Sequence, residues 1–207
     1  MRTRVKICGV TCPEDAEAAV QLGADAIGLV FCDASPRAVD MKEARAIAAA
    51  VPAFVSIVGL FVDPRPGDVE VAVEGLHLDA LQFHGNEAPS LCRRFQRRYV
   101  KAVPMGSGVD PAAYTADYPD ASGFLLDSHR LGELGGRGEA FDHGRIPDGV
   151  RGLTVAGGLN PDNVAAVIRQ VRPFALDVSS GVEAAPGIKD QDLMARLFAE
   201  VERGDET

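Results

Sequence analysis

Short β-rich apolar runs alternate with helix-like segments from one end of the chain to the other, and few architectures accept that pattern. Strand-like runs are Arg4–Cys8, Asp25–Phe31, Phe54–Val62, Ala80–His84, Tyr99–Val103, Gly123–Asp127, Gly152–Ala156 and Phe174–Val178. Helices are predicted at Pro13–Leu22, Met41–Val51, Arg65–Gly75, Glu87–Arg98, Asp110–Asp117, Asn160–Val171 and Asp190–Glu202. Thr11 is a candidate N-cap for the first, and Asn160 followed by Pro161 opens the sixth. The link after the sixth strand, Ser128–Val150, is Gly- and charge-rich instead; Gly132, Gly135, Gly136 and Gly138 make it a candidate mobile loop.

Strands rich in Val, Ile and Leu that alternate with helices make a parallel sheet covered by helices. Five or six such units suggest an open doubly wound sheet, and eight suggest a closed barrel. Eight units in 207 residues give about 26 residues each. The expectation is an α/β fold in which residues 1–207 form one (β/α)8 TIM barrel domain, near the lower size limit of that fold.

Acidic residues number 30 against 21 Lys+Arg, a net charge of −9, which argues against a nucleic-acid partner. The one dense basic stretch, Arg93, Arg94, Arg97 and Arg98, has helical spacing and reads as a solvated helix face. Cys8, Cys12, Cys32 and Cys92 form no CxxC pair and no zinc-site spacing. No apolar run approaches the ~20 residues of a membrane span, and the N-terminal one is too short for a signal-peptide core. A cytoplasmic protein with free thiols and no membrane partner is expected.

In a barrel of this kind active sites sit at the C-terminal strand ends. Val155-Ala-Gly-Gly-Leu-Asn-Pro and Asp177-Val-Ser-Ser-Gly leave the seventh and eighth strands through small residues, and turns there can offer backbone amides to a phosphate. Gly157, Gly158, Ser180 and Gly181 are the favoured contacts. Cys8 ends the first strand on the same face as Lys6, and Asp127 ends the very apolar sixth. Cys8 and Asp127 both project to the barrel mouth, where a thiolate and a carboxylic acid can act as base and acid in proton transfer on a carbon skeleton. The bland readings are a packed core cysteine and ordinary tight turns.

Arg37, in the loop after the second strand, can grip a carboxylate through paired hydrogen bonds. Gln82 and His84 end the fourth strand on one face; His77, His129 and His143 have no ligand spacing with His84, so no metal is expected. Lys6 and Lys101 lie below the rim, which favours internal salt bridges over a Schiff-base role, with Asp177 as the partner expected for Lys6.

Taken in order, Lys6-Ile-Cys-Gly-Val-Thr11, Gly28-Leu-Val-Phe31, Ser35-Pro-Arg37, Val58-Gly-Leu-Phe-Val62, Leu81-Gln-Phe-His-Gly85, Leu125-Leu-Asp-Ser128, Gly135–Asp142, Ala156-Gly-Gly-Leu-Asn-Pro-Asp-Asn-Val164, Asp177-Val-Ser-Ser-Gly-Val-Glu183 and Pro186-Gly-Ile-Lys-Asp190 resemble the phosphoribosylanthranilate isomerase family. The resemblance runs from Lys6 to about Asp190. It implies a (β/α)8 barrel of the ribulose-phosphate-binding type, no cofactor, and an Amadori rearrangement of N-(5-phosphoribosyl)anthranilate in tryptophan biosynthesis. It also implies that Cys8 is the general base, Asp127 the general acid and Arg37 the holder of the anthranilate carboxylate. Gln82, His84 and Asp177 join the substrate site, and Gly157-Gly158 with Ser179-Ser180-Gly181 hold the phosphate. The implied partner is a small molecule carrying phosphate and carboxylate; monomer and homodimer both stay open. Phe83 for a more usual Leu, with Arg137 and Ala140 in the glycine-rich loop, departs from the family pattern without touching acid or base.

That chemistry needs Cys8 shifted down, with Lys6 the expected cation, and Asp127 shifted up by burial. A metal-dependent epimerase needs more His and Asp at strand ends, and relatives that also act on a histidine intermediate place a second aspartate where this chain has Cys8. A phosphometabolite-binding barrel without turnover is the non-enzymatic alternative.

Overall fold

In the computed structural model, which describes residues 2–130 and 141–206, eight parallel strands close into a barrel in chain order. They are β1 (Arg4–Cys8), β2 (Ala26–Phe31), β3 (Ser56–Phe61), β4 (Ala80–Phe83), β5 (Tyr99–Pro104), β6 (Gly123–Asp127), β7 (Thr154–Val155) and β8 (Ala175–Val178). Strand β8 pairs back onto β1, with Lys6 in register with Asp177. The helices are α1 (Pro13–Gln21), α2 (Met41–Ala50), α3 (Pro66–Gly75), α4 (Pro89–Arg94), α5 (Pro111–Ala116), α6 (Val164–Val171) and α7 (Gln191–Asp205). A small antiparallel hairpin, β9 (Glu183–Ala185) with β10 (Ile188–Lys189), follows β8. The glycines of the expected mobile loop, together with Arg137 and Ala140, fall at 131–140, outside the described residues.

Burial separates two layers. Val5, Ile7, Ile27, Leu29, Phe61 and Leu81 are buried in the large core that also takes in helix residues such as Ala16, Ala44, Ile47 and Val69. The alternate strand residues form small clusters of their own, Cys8 with Val30 and Leu60, and Ala102 with Leu125 and Ala156. A side-chain period of two sorts each strand this way. Gly28 makes room at the mouth: a Cβ there would lie 2.9 Å from Cys8 Sγ and 2.9 Å from Lys6 Nζ.

Several element boundaries depart from the sequence expectation, each for a local reason. Helix α4 occupies only Pro89–Arg94 of the predicted Glu87–Arg98. Proline disfavours helical backbone in the residue before it, and Ala88 is extended at ψ 148°. Gln96, at φ 52°, breaks the far end, so Arg97 and Arg98 lie beyond the helix. Arg94 reaches Glu70 and Arg93 reaches Asp120. Helix α6 begins at Val164, with Asn163 rather than Asn160 before it. Asn160 instead turns the chain, its Oδ1 accepting from the Asp162 amide. Thr11 does not cap α1; its hydroxyl donates to the Gly187 carbonyl. Helix α7 runs on to Asp205, whose carboxylate accepts from the Thr3 amide and hydroxyl.

Buried charges are paired. Among the described residues Lys6 meets Asp177, Lys101 meets Glu87, and Arg37 and Lys189 share Glu183.

Candidate active site

One cavity opens at the C-terminal ends of the strands. Its walls include Cys8 from β1, Val30 from β2, Leu60 from β3, Gln82 from β4, and Asp127 from β6. His84, Arg37 and Asp177 also line it, as do Gly157, Gly158, Ser179 and Ser180. Ten of the eleven residues expected at the site therefore converge. Gly181 does not line the cavity. It packs against the β7 loop, where an added Cβ would collide with the Leu159 carbonyl.

At β1, Lys6 Nζ donates to Asp177 Oδ1 at 2.8 Å, the pair expected from sequence. Both are buried, and an ion pair away from water survives only when each charge is matched. Burial pushes the Cys8 thiol up and the Asp177 carboxylate adds to it, while Lys6 and Lys189 oppose. The expected downward shift of the thiol is thus not found in this arrangement. Lys6 sits where predicted, but burial outweighs it.

Arg37 is committed to an internal partner. Its Nε and Nη2 donate to Glu183 Oε1 and Oε2 at 2.8 and 2.7 Å. Lys189 Nζ donates to the same Glu183 Oε1 at 2.8 Å and to the Ser179 carbonyl. The hydrogen bonds it donates to Glu183 raise Arg37, which burial opposes. Burial would raise Glu183, but Arg37 and Lys189 hold it below the usual carboxylate range. A ligand carboxylate would share Arg37 with Glu183 rather than claim it whole. Glu183 and Lys189 stand in motifs quoted above; sequence reasoning gave them no role, because their partners lie in other elements.

Asp127 has a crowded setting. Gln82 Nε2 donates to His84 Nδ1 at 3.1 Å, which leaves the ring proton of His84 on Nε2, 3.0 Å from Asp127 Oδ2. His129 places Nδ1 3.5 Å from the same oxygen, and its ring lies 4.4 Å from that of His84. Ser128 Oγ donates to Oδ1 at 3.2 Å. Gly157 approaches closely at φ 82°, and a Cβ there would meet Oδ1 at 2.8 Å. Burial would raise Asp127, but His129 and His84 outweigh it and hold the carboxyl well below its usual range. The upward shift expected from burial is therefore reversed by two imidazoles. Sequence reasoning gave His129 no place here; its position two residues beyond Asp127, across a turn, was the available signal. His84, Asp127 and His129 bring their ligand atoms within 4.8 Å of one another, a convergence that His spacing did not reveal.

Lys101 lies behind this cluster. It pairs with Glu87 at 3.1 Å and donates to the Gly85 carbonyl at 2.7 Å, an internal salt bridge as expected.

The family model for N-(5'-phosphoribosyl)anthranilate isomerase matches residues 5–200. A curated relative from Halorhodospira halophila, named N-(5'-phosphoribosyl)anthranilate isomerase, is 81% identical over all 207 residues, 100% of both chains. The chain belongs to the phosphoribosylanthranilate isomerase family. Phosphoribosylanthranilate isomerases are enzymes of tryptophan biosynthesis, and this chain is an isomerase of that kind. Among solved members, the phosphoribosylanthranilate isomerase of Thermus thermophilus is 40% identical, with a TM-score of 0.85 over 97% of this chain and 98% of that one. Another, 37% identical with a TM-score of 0.82 over 97% and 98%, is in complex with reduced 1-(o-carboxyphenylamino)-1-deoxyribulose 5-phosphate. No helix among the described residues is long and apolar enough to cross a membrane.

Proposed function

We propose that the chain converts N-(5-phosphoribosyl)anthranilate to 1-(2-carboxyphenylamino)-1-deoxyribulose 5-phosphate, with Cys8 as general base and Asp127 as general acid. The observation that carries this reading is the shared cavity: Cys8 and Asp127 line it together, with Arg37 and the β7 and β8 loops in its walls. The β7 and β8 loops, with Gly157, Gly158, Ser179 and Ser180, receive the phosphate. Val30, Leu60 and Val62 supply an apolar wall for the anthranilate ring, and Arg37 meets its carboxylate. Asp127 donates a proton to the ribose ring oxygen as the C1′–O bond breaks and the amine nitrogen forms a Schiff base. Cys8 then removes the C2′ proton, and the enolamine relaxes to the ketone. No cofactor takes part in this scheme. The whole chain, 1–207, acts as one domain, in the cytoplasm.

The test is fluorescence-monitored turnover of the anthranilate adduct. Cys8→Ser and Asp127→Asn each lower kcat by about a thousandfold or more with binding retained. Arg37→Ala raises KM strongly instead. Near-normal kcat in either of the first two, or an unchanged KM in the third, removes the assigned role.

A further inference from the structure

We propose that His129 is a positioning residue for Asp127, and that the His84–Asp127–His129 cluster takes up a proton when the anionic substrate binds. This rests on the function proposed above. The geometry is the starting point. Both imidazoles address one oxygen, Asp127 Oδ2, with His84 Nε2 at 3.0 Å and His129 Nδ1 at 3.5 Å. His84 already spends both ring nitrogens, on Gln82 and on Asp127. Among the described residues His129 Nδ1 is buried and has no hydrogen-bond partner. Among the same residues a proton placed on it has one acceptor in reach, the Asp127 carboxylate. His129 does not line the cavity, so it acts through Asp127 and not on substrate.

The charges around the cluster fix its resting state. From β4 comes His84; from the segment after β6 comes His129; from β5 comes Lys101, held by Glu87. Lys6, Cys8 and Asp177 belong to β1 and β8. Burial, opposed by Asp127, lowers His129 and keeps its ring neutral. Asp127 rests as a carboxylate and cannot donate. A general acid with nothing to give needs a supply.

Substrate binding provides the drive. A phosphate dianion and a carboxylate entering a water-poor cavity raise the proton affinity of every group nearby. The proton comes from solvent by way of the His129 ring, whose Nδ1 passes one to Asp127 Oδ2, which leaves His129 neutral and the carboxyl uncharged. Asp127 gives it to the ring oxygen as the C1′–O pair settles there. The reaction is an isomerisation, so the uptake is returned by the end of turnover.

The experiment is calorimetric titration of the full chain at pH 8 with reduced 1-(o-carboxyphenylamino)-1-deoxyribulose 5-phosphate, in buffers of different ionisation heat. A Cys8→Ser background keeps the thiol out of the count. The expected uptake is about one proton per ligand bound, falling to less than about a third of that in Cys8→Ser/His129→Asn. With Cys8 intact, His129→Asn lowers kcat at pH 8 by about tenfold or more and recovers towards pH 6, while KM moves by less than about threefold. If His129→Asn fails to fold, seen as lost far-UV circular dichroism, His129→Gln takes its place. Uptake that survives loss of His129, or a pH profile parallel to that of the parent, overturns the proposal. Tight binding and turnover without any proton uptake sink this inference alone. Absence of both binding and turnover in the parent sinks the function reading instead.

Discussion

Lys6, Asp177 and Cys8 meet at the end of β1, where one cation serves a carboxylate and a thiol at once. Asp177 holds Lys6 at 2.8 Å, so the charge Lys6 can lend to Cys8 is already partly spent. Burial therefore keeps the thiol protonated near neutral pH in the free protein. Alkylation of Cys8 by iodoacetamide, followed by mass spectrometry of its peptide, should accelerate with a midpoint above the ordinary thiol value of about 8.5. Lys6→Met should move that midpoint higher still, since it removes the cation. A midpoint below about 8 in the parent would contradict this account. The sign matters for mechanism: Cys8 acts as a base only once it has given up its own proton. The positions of Cys8 and Asp127 at strand ends, and of Arg37 in the loop after β2, were legible in the chain because they follow from counting strands. The direction in which Cys8 and Asp127 are shifted was not. For Cys8 it depends on burial and Asp177, and for Asp127 on His129 and His84, side chains whose convergence leaves no local periodicity.

At the scale of elements, β4 and β5 are joined by more than their ladder. Lys101, wholly buried in β5, donates to carbonyls of Phe83 and Gly85 on either side of His84. Its partner Glu87 accepts from the Asp63 and Gly85 amides through Oε1. One ion pair thereby fixes the end of the strand that carries His84. Lys101→Met strands Glu87 as a buried charge and should cost about 3–5 kcal/mol in denaturant unfolding. Lys101→Met/Glu87→Gln should recover part of that loss; a double variant no more stable than the single one would refute the pairing as the cause. The same region shows why the strands read more easily than the helix ends. Apolar runs survive as strands because the barrel buries both faces. Glu87 looked like the first residue of an exposed helix and is instead an interior counter-ion, with the helix starting at Pro89. Asn160 misled in the same way, as a cap-forming residue used for a turn.

For the molecule as a whole, pattern repetition alone specified a closed barrel, since eight units leave the parallel sheet only one economical closure. The paired charges inside that barrel have a consequence for encounter. Lys6 pairs with Asp177, Lys101 with Glu87, and Arg37 and Lys189 with Glu183, so the acidic excess behind the net −9 is carried by the rest of the chain. An approaching phosphate and carboxylate feel that exterior before they feel Arg37. Near 10 mM salt the screening length is about 30 Å, and near 100 mM it is about 10 Å. Association of the anthranilate-containing product, followed by stopped-flow fluorescence, should therefore quicken by about twofold or more across that range. A rate that falls instead would locate a positive field at the mouth strong enough to reach into solvent. Such a protein trades long-range capture for discrimination at the threshold: anions arrive uninvited, and only one that can satisfy both ends of the cavity is kept.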